Sequence, residues 1–156
     1  MPSAVARTGV PYVGSVGAVD MVNFGAIDTV PERYARRNLH VHNAQVTLMR
    51  TTPEENVAIG EFIADKLNAC HGPVRFLLPE GGVSMIDAPG QPFHDPEADE
   101  ALFATIEANV VQTTSRTVSR VAANINDETF VEAVLAAFDD VMLTVASDRD
   151  TAAGAH

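Results

Sequence analysis

Arg50, Thr51 and Thr52, with Asn43 and Thr47 just upstream, set one fixed cation and several hydrogen-bonding side chains against the start of a helix. Thr52 suits the N-cap, Pro53 the first helical position, and Glu55, three residues after Thr52, completes a capping-box pattern. A helix start leaves N–H groups without intrahelical partners and carries roughly half a positive charge. Arg50 and the hydroxyls of Thr47 and Thr51 could therefore hold a phosphate or carboxylate there. The plainer alternative is that Arg50 pairs with a surface glutamate and the threonines only cap.

A second group of candidates lies in the stretch 79–95, which exceeds the roughly 12 to 15 residues beyond which structureless connections are uncommon and so reads as an ordered, functional loop. Gly81 and Gly82 would let backbone N–H groups approach a ligand, Ser84 offers a hydroxyl, and Asp87 could meet a hydroxyl or a metal. Asp95, next to Pro96, most simply caps the following helix. His40 and His42 lie two apart on an expected strand and share a face, a spacing that permits joint metal ligation with Asp87, His94 or Asp95. That set would make a metal-assisted hydrolase or lyase, although no compact motif such as H-E-x-x-H is present. Ser84 is not in G-x-S-x-G, and the glycine-rich stretch 14–25 lacks both G-x-G-x-x-G and the Walker pattern.

These residues need elements to position them, and the chain supplies three units of one plan: a short apolar run, a polar loop, then a helix with a marked start. The first joins 39–41 to a helix over 53–70, with Ile59, Phe62, Ile63 and Leu67 as its stripe. The second joins 74–78 to a helix opening at Asp95, with the stripe Leu102, Phe103, Ile106 and Val110. The third joins 117–122 to a helix capped by Asn126, with Phe130, Val134, Phe138, Val141 and Val145 facing inward. A strand over 10–16 joins the same sheet. The expected fold is α/β, a partial Rossmann-like parallel sheet with flanking helices. Three good helices for four strands leave a face or an edge uncovered, unless the segment 31–37 supplies a fourth cover.

At 156 residues the chain reads as one domain over 1–145 with a flexible tail over 146–156. The formal net charge of -11 argues against nucleic acid and anionic membrane as partners. Residues 1–50 hold five arginines against three acids, a local balance of +2, so the positive charge concentrates near the candidate anion site. A single cysteine, Cys70, excludes an intrachain disulfide and reads as a buried structural thiol in a cytoplasmic protein. No stretch has the eighteen or so apolar residues of a membrane span.

Longer signatures carry a resemblance. They are Gly17-Ala18-Val19-Asp20-Met21-Val22-Asn23-Phe24-Gly25, then Val30-Pro31-Glu32-Arg33-Tyr34, the run 42–56, Gly82-Val83-Ser84 through Pro89-Gly90, and Phe93-His94-Asp95-Pro96-Glu97-Ala98-Asp99. In this order they resemble the second half of an uncharacterised bacterial, fungal and plant family to which the tomato mosaic virus resistance protein belongs. The resemblance implies a two-domain protein of Rossmann-like α/β units, with ATP and magnesium as the implied ligand; the first domain is absent from this chain, and the second is truncated at its amino end, without its opening strands and glycine-rich turns. It implies a homo-oligomer, or a complex with a chain carrying that first domain. Asn124 stands where histidine is expected. The reading is thus a ligand-binding domain contributing Asn43, Thr47, Arg50, Thr51, Thr52, Gly81, Gly82 and Ser84 to a nucleotide or phosphate cleft; the alternatives are the metal-assisted enzyme and a non-enzymatic interaction fragment. Whether turnover occurs is left open.

Overall fold

The computed structural model describes the backbone of residues 4–153 and side chains through Val145. After a five-residue helix α1 (Ala4–Thr8) come β1 (Tyr12–Ser15), β2 (Met21–Phe24), β3 (Leu39–Asn43) and β4 (Val46–Arg50). Then follow α2 (Pro53–Asn68), β5 (Val74–Pro79), α3 (Pro96–Asn109), β6 (Arg116–Val121) and α4 (Glu128–Ala153). Strands β1, β5 and β6 form a parallel sheet in the order β1-β5-β6. With α2 and α3 on one face and α4 on the other, this is the partial Rossmann-like α/β sheet expected. Val74, Phe76 and Leu78 of β5 face Leu67, Leu102 and Ile106, while Leu77 faces Phe130 of α4. Both faces of β5 are covered, which explains its nearly continuous apolar sequence.

The strand at 39–41 is not part of that sheet. It is β3 of a separate antiparallel sheet, ordered β2-β4-β3, in which Met21–Phe24 and Leu39–Asn43 both pair with Val46–Arg50. The stretch read as a polar anion loop is thus a central strand. Thr47, Leu48, Met49 and Arg50 are all buried, and the β3–β4 turn is closed by Gln45 N donating to Asn43 Oδ1 at 2.9 Å. Likewise the glycine-rich stretch after β1 is a loop only to Asp20, because Met21 begins β2. The segment 31–37 forms a single 3-10 turn, Glu32–Tyr34, too short to cover a sheet.

The helix starts largely follow the sequence. Thr52 caps α2 with a complete capping box: Glu55 N donates to Thr52 Oγ1 and Thr52 N donates to Glu55 Oε2. Asp95 caps α3 through Ala98 N. Helix α4 begins one residue later than an Asn126 cap would place it; Asp127 precedes it and takes the N–H of Val131 on its carbonyl. Two stripe residues point outward: Phe62 and Phe138 are 62% and 52% exposed. Helix α4 carries the backbone through Ala153 into the expected tail, whose side chains, with all of 154–156, lie outside the described residues. No described helix is long and apolar enough to cross a membrane.

Candidate functional site

Ligands of open parallel sheets sit at the carboxyl ends of the strands. At that end of β5 and β6 there is a cleft of about 220 Å³, lined by Gly81, Gly82, His94, Asp99, Phe103 and Arg120 together with Glu80 and Glu100. Its lining residue Asp99 is held from behind by Arg50. As the last residue of β4, Arg50 turns its side chain under the 79–95 loop and is only 3% exposed. Nη2 donates to Asp99 Oδ1 at 2.7 Å and stands 3.5 Å from Asp87 Oδ1, Nε donates to the carbonyl of Phe93 at 2.9 Å, and Nη1 donates to Thr51 Oγ1 at 3.2 Å. Phe93 itself is fully buried, so the guanidinium staples the loop to the antiparallel sheet.

Three carboxyls surround this cation. Asp87 is fully buried, with Oδ2 accepting from Val83 N at 2.9 Å and Oδ1 without a hydrogen-bond donor. Asp20, also fully buried, accepts from Ser84 Oγ at 2.7 Å. Asp99 lies in the first turn of α3, with one edge on the cleft. Three ionised carboxylates against one guanidinium would leave two net negative charges in a low-dielectric interior, so the cluster holds a proton. Burial pushes the Asp99 carboxyl up to about 7, with repulsion from Asp87 adding to it and the hydrogen bond from Arg50 opposing it. Burial also raises that of Asp20, against the opposing hydrogen bond from Ser84. The cleft therefore has at its floor a carboxyl that gains and loses a proton near neutrality.

The arrangement corrects the anion reading of Arg50. Its charge is met inside the chain by Asp99 and Asp87, because the strand that carries it is buried. All but one of the other expected donors are engaged too, and that one, Thr47, is sealed from any ligand. Thr51 Oγ1 donates to Val19 O, and Thr52 is held by its capping box, with Glu55 tied to Arg37 at 2.6 Å. Thr47 is fully buried in β4 with no hydrogen-bond partner for its hydroxyl, and Asn43 is used in the hairpin turn. Gly81 N donates to Ala123 O and Gly82 N to Pro79 O. Both glycines are required for packing: a Cβ on Gly81 would meet the backbone of Ala123 and Asn124, and one on Gly82, at φ +118°, would meet Asp87 O.

The metal trio is not brought together. His40 stands edge-on to Phe93 with ring centroids 6.1 Å apart, His42 lines a shallow groove with Met21 and Leu48, and Asp87 is sealed against Arg50. Among the described residues no three His, Cys, Asp or Glu side chains form a metal-binding group. Asn124 instead acts as a clasp, its Nδ2 lying within 3.0 to 3.3 Å of the carbonyls of Gly81, Ser84 and Asp87.

Asp20 and Asp99 were not singled out from the sequence as site residues. Asp99 had a signal. It lies three and four residues before Leu102 and Phe103, which puts an acid on the buried stripe of α3.

Comparison with known proteins places the chain in a family. Residues 2–142 match the one described as "Uncharacterised protein family (UPF0261) C-terminal domain". A UPF0261 protein of Rhizobium meliloti (strain 1021) is 57% identical over 138 residues, covering 88% of this chain and 35% of the relative. A UPF0261 protein of Clostridium tetani is 48% identical over 131 residues, 84% of this chain and 32% of its own length. The ToMV resistance protein Tm-1 of Solanum lycopersicum is 42% identical over 138 residues, 88% of this chain and 18% of that protein. The chain spans about a third of the length of these bacterial relatives. It belongs to the UPF0261 family, as a match to that family's carboxy-terminal domain.

Proposed function

We propose that the cleft at the carboxyl ends of β5 and β6 is one wall of a site for a nucleotide-like ligand, and that this wall takes the sugar or base part. The observation that carries the reading is the chemistry of the lining. Glu80, Asp99 and Glu100 offer acceptors, Phe103 and two prolines offer apolar surface, and Arg120 is already met by three carboxylates. Hydroxyls and amines suit such a wall; phosphates do not. The cation for any phosphate, and ATP with magnesium as the ligand, fall to the part of the longer protein outside this chain, or to a second copy. Asp99 is the group that would exchange a proton with the bound molecule.

Thermal melts with adenosine and with magnesium-ATP, combined with amide chemical-shift mapping, test this. Ligand at about a hundred times its dissociation constant stabilises by about 2.7 kcal/mol, several degrees for a chain of this size. The expected result is an upward shift with both ligands and perturbed resonances at Gly81, Gly82 and His94. No shift with either ligand overturns the reading. A shift with ATP alone, perturbing Thr51 and Thr52, would return the site to the start of α2.

A further inference from the structure

We infer that β1 is an interior strand in the working protein, and that its open side pairs with a parallel strand from the amino-terminal portion of a longer family member, flanked by one helix on each face. This goes beyond the cleft reading and does not depend on it.

β1 is at the end of the sheet order β1-β5-β6. Tyr12 N donates to Pro73 O, towards β5, so by alternation the N–H and C=O groups of Val13 and Ser15 point the other way. No other described strand pairs with β1. The hydroxyl of Ser15 is buried with no hydrogen-bond partner. An unprotected sheet edge is a template for a further strand, and natural edges are usually blunted by charge, proline or a covering element. The sequence of β1, Tyr-Val-Gly-Ser, has none of these charges or prolines.

Connection handedness points to the same side. The sheet grows from β1 to β5 to β6, and the helices α2 and α3 leading to β5 and β6 lie together on one face. Right-handed crossovers on one face all step in one direction. Helix α1 leads directly into β1, and its Val5 packs into the cluster beneath α2 with Leu67 and Phe76. A strand joined to β1 through α1 by the same handed step falls beyond β1, away from β5.

Apolar surface is left uncovered on both sides of this edge. On the α2 side a groove of about 220 Å³ is lined by Val5, Tyr12, Phe62 and Ile63. On the other side α4 packs over β1 and β5 but leaves Val131, Leu135, Phe138 and Met142 about half exposed or more. Their spacing of four, three and four residues is a seam for a second helix. A second copy of this chain is a poor occupant, since α4 carries Glu128, Glu132, Asp139 and Asp140 and no basic residue through Val145. Two such helices would repel. The bacterial relatives have about two thirds of their length outside the matched region, and that region is the carboxy-terminal domain, so a preceding portion exists to supply the strand.

The test is co-expression of this chain with the tagged remaining portion of the Rhizobium meliloti relative, followed by amide hydrogen exchange on the purified material. The expected result is a one-to-one complex in which exchange at Val13 and Ser15 slows by about tenfold or more relative to the chain alone. The double variant Leu135→Glu/Phe138→Glu should lose the complex while keeping the melt of the isolated chain, because both side chains are already exposed. Three results overturn the inference: no complex, a complex that leaves Val13 and Ser15 exchange unchanged, or a homodimer of the chain alone in which those amides are already protected.

Discussion

Two arginines, Arg120 on the lining of the cleft and Arg50 buried behind Asp99, each sit among three carboxyl groups, and they behave in opposite ways because of depth. Arg50 is 3% exposed among Asp20, Asp87 and Asp99, whereas the side chain of Arg120 is 27% exposed among Glu80, Glu100 and Glu107. At the buried site the acids exceed what one cation can hold ionised, so Asp99 keeps its proton to about 7. At the exposed site water and long flexible side chains share the charge, and the hydrogen bond from Arg120 lowers the carboxyl of Glu100 instead. The same charge ratio gives a proton reservoir in one place and an ordinary surface network in the other.

The largest expected effect comes from breaking the buried member. Arg50→Ala strands Asp87 and Asp99 without their cation and frees the carbonyl of Phe93, at a cost of about 3–5 kcal/mol. Out of roughly 5–15 kcal/mol of total stability, this is enough to unfold a marginal domain. Urea titration of both proteins measures it. Adding Asp99→Ala to Arg50→Ala should damage the fold less than the sum of the two single changes, because the second change removes a charge the first left unpaired. A single-variant loss under about 1 kcal/mol would mean that water reaches the cluster, and the contrast with Arg120 would collapse.

The sequence revealed the local half of this architecture and hid the long-range half. The capping box at Thr52, the Asp95 cap and the α3 stripe are set by residues within one or two turns, and all three stand as read. Strand β4 was hidden because Arg50 occupies its buried face; an arginine there looks like an exposed end until its partners are known, and Asp87 and Asp99 lie far along the chain. Gly81 and Gly82 looked like ligand-approach glycines for the same reason. Their reason for being glycine is the backbone of Ala123 and Asn124 and the carbonyl of Asp87. Periodicity marks Phe62 on α2 and Phe138 on α4 as members of apolar stripes, but it cannot report whether anything covers them.

The second effect is a slope with pH rather than a loss. Asp99 binds its proton more tightly folded, at about 7, than at its ordinary 3.8, so the stability it contributes is full below the ordinary value and falls as pH rises through that window. Asp99→Asn removes this dependence. The stability of the natural chain relative to the variant should therefore decline between about pH 4 and about pH 7 and level off above, read from urea midpoints at each pH. Glu100 tilts the other way: with its carboxyl lowered, its contribution is present above its ordinary 4.5 and lost as pH falls through the folded value. A difference between the natural chain and Asp99→Asn that does not change with pH would place the retained proton on another member of the cluster.

The smallest effect belongs to Arg120→Ala. The side chain donates to both oxygens of Glu100 and both of Glu107, and its guanidinium carbon stands 5.6 Å from the ring centre of Phe103. Glu80, Glu100 and Glu107 nevertheless stay 42%, 58% and 35% exposed, so each pair competes with water and the expected loss is about 1 kcal/mol or less. Salt separates this case from Arg50. Raising ionic strength from about 0.1 M to about 1 M shortens the screening length from about 10 Å to about 3 Å, which should erase most of the Arg120→Ala difference while leaving the Arg50→Ala difference nearly intact. If both differences shrink together, the two clusters are equally hydrated and burial is not what distinguishes them.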